Sequence, residues 1–500
     1  MLACLLSFVI GFLSLSIEIL WIRIFTYANH SLPQAFSFVL TFYLIGIALG
    51  AALGKRFCQS STNLWAISGV ALTIASVFDL LSPWIYTEIV NLPHQLIGSA
   101  LLILISSLLK AIVFPIAHHL GTLDNKRNIG QKISKVYVSN IFGSTLGPLV
   151  MGFVLLSFFT TQQCFAICAA MVFMTGMLCL STQIRAAYLI LCSACAIYVL
   201  FTAWAINPNL LIASLSARGM KIHRIVENQY GVITTYFASD KGGDIVTGGN
   251  VYDGRTNLDP IINSNKINRV IILSALQEHP ANILLVGLSI GTWLKLINTF
   301  PGVKNIDVVE INPGYLQAIK DYPDHASALS DPRVKLYIDD GRRWLKMHSD
   351  KKYDLIIMNT THYWRAYSSN LLSREFVSIL RQHMNKNAVL SYNTTDSPDA
   401  FKTATTLFKH AYLYQNFVIA ADFDWRIKLH EKNAENKLAK LQLNGKRLFP
   451  TNSESLIRSF LQHQTYAISE IERIYSYFDR DIKIITDRNL LTEYKYGKNL

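Results

Sequence analysis

Before residue 206 the chain returns seven times to apolar runs about as long as a bilayer is thick, at 2–25, 35–53, 64–86, 96–117, 136–159, 165–180 and 187–206. Each approaches the roughly 20 residues that a helix rising about 1.5 Å per residue needs to cross the hydrocarbon layer. An all-α bundle of about seven transmembrane helices over 1–206 is therefore expected, in a multi-pass protein of an inner or plasma membrane whose first partner is the lipid bilayer. Composition supports this, because 51% hydrophobic and 16% charged residues is too apolar for an ordinary soluble enzyme, and 500 residues exceed one core. The first run is longer than a signal-peptide core and lacks a basic leader and a small-residue cleavage site, so it is expected to stay in the mature protein.

Gly46, Gly50 and Gly54, like Gly143 and Gly147, recur every fourth residue and give one helix face a smooth stripe for close packing in lipid. Glu18, Asp79 and Lys110 would each cost about 2.5–3.5 kcal/mol at a helix centre if unpaired, so they are expected to face one another or a cavity. A structural ion pair and a transport pathway both satisfy that expectation. Lys55, Arg56, Lys126, Arg127, Lys132, Lys135 and Arg185 fall in loops on the side of the N-terminus, which positive-inside counting makes cytoplasmic. After seven spans the C-terminal half would then lie outside. Arg218, Lys221 and Arg224 argue for the opposite side, and the reading adopted is a cytoplasmic C-terminal domain. The net charge of +13 fits juxtamembrane contact with anionic lipid, and no basic-aromatic run suggests nucleic acid. No cysteine follows Cys195, which excludes a catalytic thiol or a disulfide framework from the C-terminal half, and the spacing of the seven cysteines gives no metal pattern.

Chemistry is concentrated in that half. The run Ile283 to Val286 reads as a buried parallel strand, and Gly287 and Gly291 let the backbone turn tightly beside a ligand. A second run ends at Glu310, about 20 residues on, where a carboxylate can accept from ribose hydroxyls. A third runs into Asp339, Asp340 and Gly341, and a fourth into Asn359. Strand ends of an open α/β sheet hold ligands, so these four are expected to share one rim. The expected organisation is a small β-hairpin subdomain over 218–265, a Rossmann-like, doubly wound parallel domain over 266–425 of the S-adenosylmethionine-dependent methyltransferase type, and a helical extension over 426–500 with a terminal strand.

In the order GLSIG, VVEINP, DPRVKLYIDDGRRWL, YDLIIMN and LLSREF, residues 221–420 resemble the spermidine synthase (polyamine aminopropyltransferase) family, and the multispan region before them resembles its membrane-fused branch. The resemblance implies decarboxylated S-adenosylmethionine, or S-adenosylmethionine itself, as cosubstrate, with no metal. It places Glu310 on the ribose, Asp340 on the adenine amino group, and Gly287, Ser289, Gly291 and Gly341 against the nucleoside. Residues 263–267 and Ile290 stand where the family carries acceptor-side or tail-binding polar and acidic groups, and Asn359 stands where it carries its catalytic aspartate.

An attacking amine near the lysine pKa of about 10.4 must lose a proton, which Asn359 cannot take. His362 is a candidate replacement base, with a purely structural loop histidine as the alternative. Asp253, in a turn-rich stretch, is a candidate amine-binding carboxylate or a turn aspartate, and Tyr252 beside it a candidate substrate contact. Trp364 is either a stacking surface or core, and Arg365 suits a carboxylate better than a diamine. The readings left open are a transferase using a small-molecule amine or no external acceptor, a silent nucleoside-binding membrane regulator, a polyamine-related transporter and a methyltransferase; a homodimer is also open.

Overall fold

The computed structural model describes residues 1–60, 63–122, 128–181, 192–194, 196–197, 206–216, 219–277, 280–360, 362–478, 480–489 and 491–500. The chain forms two compact units: 1–30, 34–218 and 227–229 in one, and 31–33, 219–226 and 230–500 in the other.

The first unit is helical: α1 (Leu2–Ala28), α2 (Gln34–Ser60), α3 (Leu64–Ile89), α4 (Gln95–Ala111), α5 (Val113–Leu120), α6 (Ile129–Val150), α7 (Leu156–Phe158) and α8 (Thr161–Leu180). α4 continues into α5, and α6 into α7 through a π-turn, so that six helices among the described residues are long and apolar enough to cross a membrane. Of the expected seven, the run at 187–206 lies largely outside the described residues, as do Lys126, Arg127, Arg185 and Arg218. The glycine stripes are contact faces. A Cβ on Gly46, Gly50 or Gly54 would come within 2.3 Å of a carbonyl oxygen of Leu104, Leu108 or Ile112, and one on Gly143 or Gly147 within 2.2 Å of Phe8 or Phe12. Asp79 on α3 and Lys110 on α4, both fully buried, form an ion pair at 2.7 Å. Ser106 donates to the same carboxylate at 2.6 Å, so charge and hydrogen-bonding capacity are met within the bundle.

The second unit begins with an antiparallel sheet in the order β1 (Ile222–Asn228), β2 (Gly231–Tyr236), β3 (Ile245–Gly248), β4 (Val251–Arg255). Gly249 and Asn250, with φ of +59° and +61°, make the two-residue turn between β3 and β4. The main sheet contains β5 (Asn282–Val286), β6 (Asn305–Glu310), β7 (Val334–Ile338), β8 (Tyr353–Met358), β9 (Met384–Asn393), β10 (His410–Tyr414) and β11 (Phe417–Ala421). After a small β12 (Gln442–Leu443) and β13 (Lys446–Arg447) hairpin, β14 (Thr465–Tyr466) completes it. Its order is β14-β10-β11-β9-β8-β5-β6-β7.

Strands β5 to β9 pair in parallel, and the central strands β5 and β8 are covered on both faces. Ile283 and Leu285 of β5 enter one core, Leu284 and Val286 the other, and β8 alternates in the same way. Each such fully buried aliphatic side chain contributes about 1.5–3 kcal/mol. The parallel arrangement expected is found in β5 to β9, and beyond it the sheet is mixed: β10 and β11 are joined by too short a turn for a crossover, so they pair antiparallel with each other, and β11 with β9. The expected terminal strand is replaced. β14 precedes helix Ile468–Ser476, and the last regular element is helix Leu491–Tyr494.

Candidate active site

Adjacent strands β5 and β8 are followed by connections to opposite sides of the sheet, which opens a crevice at their carboxyl ends. Gly287 leaves β5 at φ +89°, where a Cβ would come within 2.9 Å of the Asn359 carbonyl oxygen, and Gly291 at φ +83° starts helix Thr292–Ile297. Between them Ser289 holds φ +49°, a conformation rarely adopted by non-glycine residues.

Glu310, at the end of β6 and 4% exposed, accepts from the Leu288 N–H at 2.7 Å through Oε2 and from the Asn312 N–H at 2.8 Å through Oε1. Burial pushes its carboxyl up to about 7 against these bonds. Asp340, after β7, caps helix Gly341–Met347 by accepting from the Arg343 N–H at 2.7 Å, and it remains exposed at the rim. Gly341 packs so closely that a Cβ would lie 2.9 Å from Val286. These residues, with Ser289, Gly287 and Asn359, line a cavity of about 590 Å³.

A second compartment of about 220 Å³ is lined by Tyr252, Arg269, His362, Asn393, Thr395 and Asp396, among others. Asp253, Asn359 and Thr360 line both, so the two compartments meet at those three side chains. The position of Asp253 follows from a local irregularity. Val246 pairs with Gly254 but Thr247 with Tyr252, so Asp253 is an extra residue in β4 rather than a turn aspartate. Such a bulge re-aims a side chain. The Tyr315 hydroxyl donates to Asp253 at 2.6 Å, and burial pushes the carboxyl up against bonds from Ser289 and Tyr315 and the charge of Arg365. Ile290 packs in the small core under the hairpin sheet with Val246 and Tyr315.

His362 is half-buried and lines the second compartment; burial first, then the Lys498 ammonium, holds its imidazole below the ordinary value against the pull of Asp396. Trp364 lies outside both linings. It is 7% exposed, packs on Val251 and stacks its ring on His362 at 5.1 Å. Arg365 lines the larger compartment, and Tyr252 the smaller. Sequence reasoning missed Tyr315, Arg269 and Asp396. Tyr315 and Arg269 carry no local signal. Asp396 follows β9 as Asn359 follows β8, and Thr395 and Asp396 are both left-handed, at φ +49° and +69°. Such strain recurs at functional sites. Among the described residues no His, Cys, Asp and Glu side chains are gathered to hold a metal ion.

Residues 268–419 match the family model described as spermine/spermidine synthase domain. The chain is 31% identical over 128 residues to the polyamine aminopropyltransferase of Lachnospira eligens, covering 25% of this chain and 44% of that protein. It is 32% identical over 133 residues to that of Prochlorococcus marinus, covering 26% and 46%. It thus spans less than half the length of these curated relatives. Two solved structures are similar at 16% identity. One is a spermidine synthase in complex with the transition state analogue AdoDATO (TM-score 0.40, covering 48% of this chain and 85% of that one), the other the spermidine synthase of Thermotoga maritima (TM-score 0.39, 51% and 87%). Over its matched segment the α/β unit is spermidine synthase-like.

Proposed function

We propose that the α/β unit binds a sulfonium nucleoside, S-adenosylmethionine or its decarboxylated form, and transfers the alkyl chain from sulfur to an amine, releasing methylthioadenosine. In this reading Glu310 holds the ribose hydroxyls, Asp340 accepts from the adenine amino group, and the alkyl chain reaches Asp253, Asn359 and Thr360. The observation that carries it is the meeting of a nucleoside-sized compartment and a smaller polar one at those three residues. The amine lone pair attacks the methylene carbon next to the sulfonium, the C–N bond forms as the C–S bond breaks, and the bond pair leaves on sulfur, which becomes a neutral thioether. The proton released by the amine goes to a base. Asn359 cannot accept it, whereas the depressed pKa of His362 keeps its ring neutral and able to accept at neutral pH. Attack by the cosubstrate's own amine, with no external acceptor, uses the same bond changes. The apolar bundle would hold this unit at a bilayer, on the cytosolic side where such nucleosides are made.

One observation favours a second reading: Asn359 in place of an acid suits a silent nucleoside-binding unit that regulates the bundle. Chromatographic assay of the purified full-length chain with each sulfonium nucleoside, with and without putrescine, separates the two. Methylthioadenosine release is expected; retention of nucleoside without release at any pH supports the silent reading, and no retention removes both. The internal pairing of Asp79 with Lys110 gives a structural account of those two charges that needs no transported solute.

A further inference from the structure

Two opposite charges face the tail end of the larger compartment. Arg365 and Asp253 both line it, and the guanidinium charge favours the ionised form of the Asp253 carboxyl. Their seats are built by different elements. The guanidinium lies against the bare backbone of the β3–β4 turn: a Cβ on Gly248 would sit 3.8 Å from its Nη1, and one on Gly249, at φ +59°, 2.8 Å from Nη2. The same position on Gly248 is 2.6 Å from the Tyr315 hydroxyl, which donates to Asp253 at 2.6 Å. Guanidinium, hydroxyl and carboxylate therefore line up along one glycine edge. The backbone of Arg365 is held in a turn, its N–H donating to the His362 carbonyl at 3.0 Å and its carbonyl accepting from the Ser368 N–H at 3.2 Å.

A decarboxylated tail carries a single ammonium. Asp253 would satisfy it, but a guanidinium in the same compartment would add like-charge repulsion to the ammonium. An α-amino-acid tail carries an ammonium and a carboxylate on one carbon, and it needs a carboxylate and a cation side by side. Arg is suited to the second task because its planar fork matches a carboxylate with two parallel hydrogen bonds. We propose that Arg365 and Asp253 form a receptor for an α-amino-acid tail, so that the preferred ligand is carboxylated S-adenosylmethionine and the group presented for transfer is 3-amino-3-carboxypropyl. This rests on the nucleoside reading of the cavity, and it goes beyond that reading by choosing between the two cosubstrates and naming the residue that chooses.

Calorimetry on the full-length chain with three probes tests it: S-adenosylmethionine, decarboxylated S-adenosylmethionine, and methylthioadenosine, which has the nucleoside but no charged tail. The wild-type chain is expected to bind the carboxylated form about tenfold or more tighter than the decarboxylated one, the size expected for a charged bidentate contact. In Arg365→Gln that preference is expected to vanish, with methylthioadenosine binding unchanged, and Arg365→Lys is expected to restore part of it. A wild-type chain that binds methylthioadenosine but prefers the decarboxylated form overturns the proposal and leaves the nucleoside reading standing. An Arg365→Gln chain that weakens all three probes alike overturns it too, because the arginine is then only structural. A wild-type chain that binds none of the probes overturns both.

Discussion

Replacing Glu310 by glutamine tests the nucleoside grip at its most buried point. Each carboxylate oxygen has two acceptor positions, and the backbone takes one of each, from Leu288 at 2.7 Å and Asn312 at 2.8 Å. The Ser289 N–H is a third backbone donor to this carboxylate, so one of the four positions is left for a ribose hydroxyl. Glutamine has nearly the same volume, but it loses the charge and must turn its amide hydrogens toward at least one of these N–H groups. Hydrogen bonds to a charged group contribute roughly 1.5–3 kcal/mol each, and the amide oxygen keeps part of one. A net loss of about 2–3 kcal/mol is expected, or about 30- to 150-fold in the dissociation constant. Methylthioadenosine is the right titrant, since it isolates the nucleoside from the tail. The wild-type pH dependence follows from the carboxyl held at about 7. At pH 6 about one site in ten is ionised, so affinity should rise about tenfold between pH 6 and 8 and level off above, while the glutamine variant stays flat. The folded value lies above the unfolded 4.5, so between these two values the folded chain keeps a proton that the unfolded chain has lost. Stability from this group therefore falls as pH rises through that window, opposite in sign to the gain in binding. A folded Glu310→Gln chain that binds within twofold of wild type, or a wild-type affinity independent of pH, would refute the assignment of Glu310 to the ribose.

Asn359→Asp puts an acid back at the end of β8, where both compartments meet; putrescine-dependent methylthioadenosine release should rise about tenfold or more, and an unchanged rate would detach position 359 from the acceptor chemistry. His362→Asn should lower the rate of alkyl transfer by about 100-fold and abolish the acidic limb expected of the wild type below 6.5, where the rate should climb as the imidazole loses its proton. A retained acidic limb in that variant would assign the limb to another group.

Much of this was legible locally. Apolar runs of bilayer length became long apolar helices, and glycines at every fourth position became their contact faces, because helical periodicity depends only on near neighbours. The runs ending at Gly287, Glu310, Asp340 and Asn359 became adjacent strands with their ends on one rim, since a parallel sheet buried on both faces announces itself as continuous apolar sequence. What stayed hidden was set by partners distant along the chain. No pattern around Asp253 reports that β4 carries a bulge against β3, nor that Tyr315, 62 residues away, meets its carboxylate. Trp364 and Arg365 are neighbours in sequence, yet one is packed beside His362 and the other faces the cavity, a division made by what surrounds them. Local composition is enough to settle which segments are apolar enough for helix or strand and which residues end the strands. Which of those residues share a cavity was settled only by folding, because a bulge, a strained turn and the hydrogen bond from Tyr315 to Asp253 exist only once remote segments pack together.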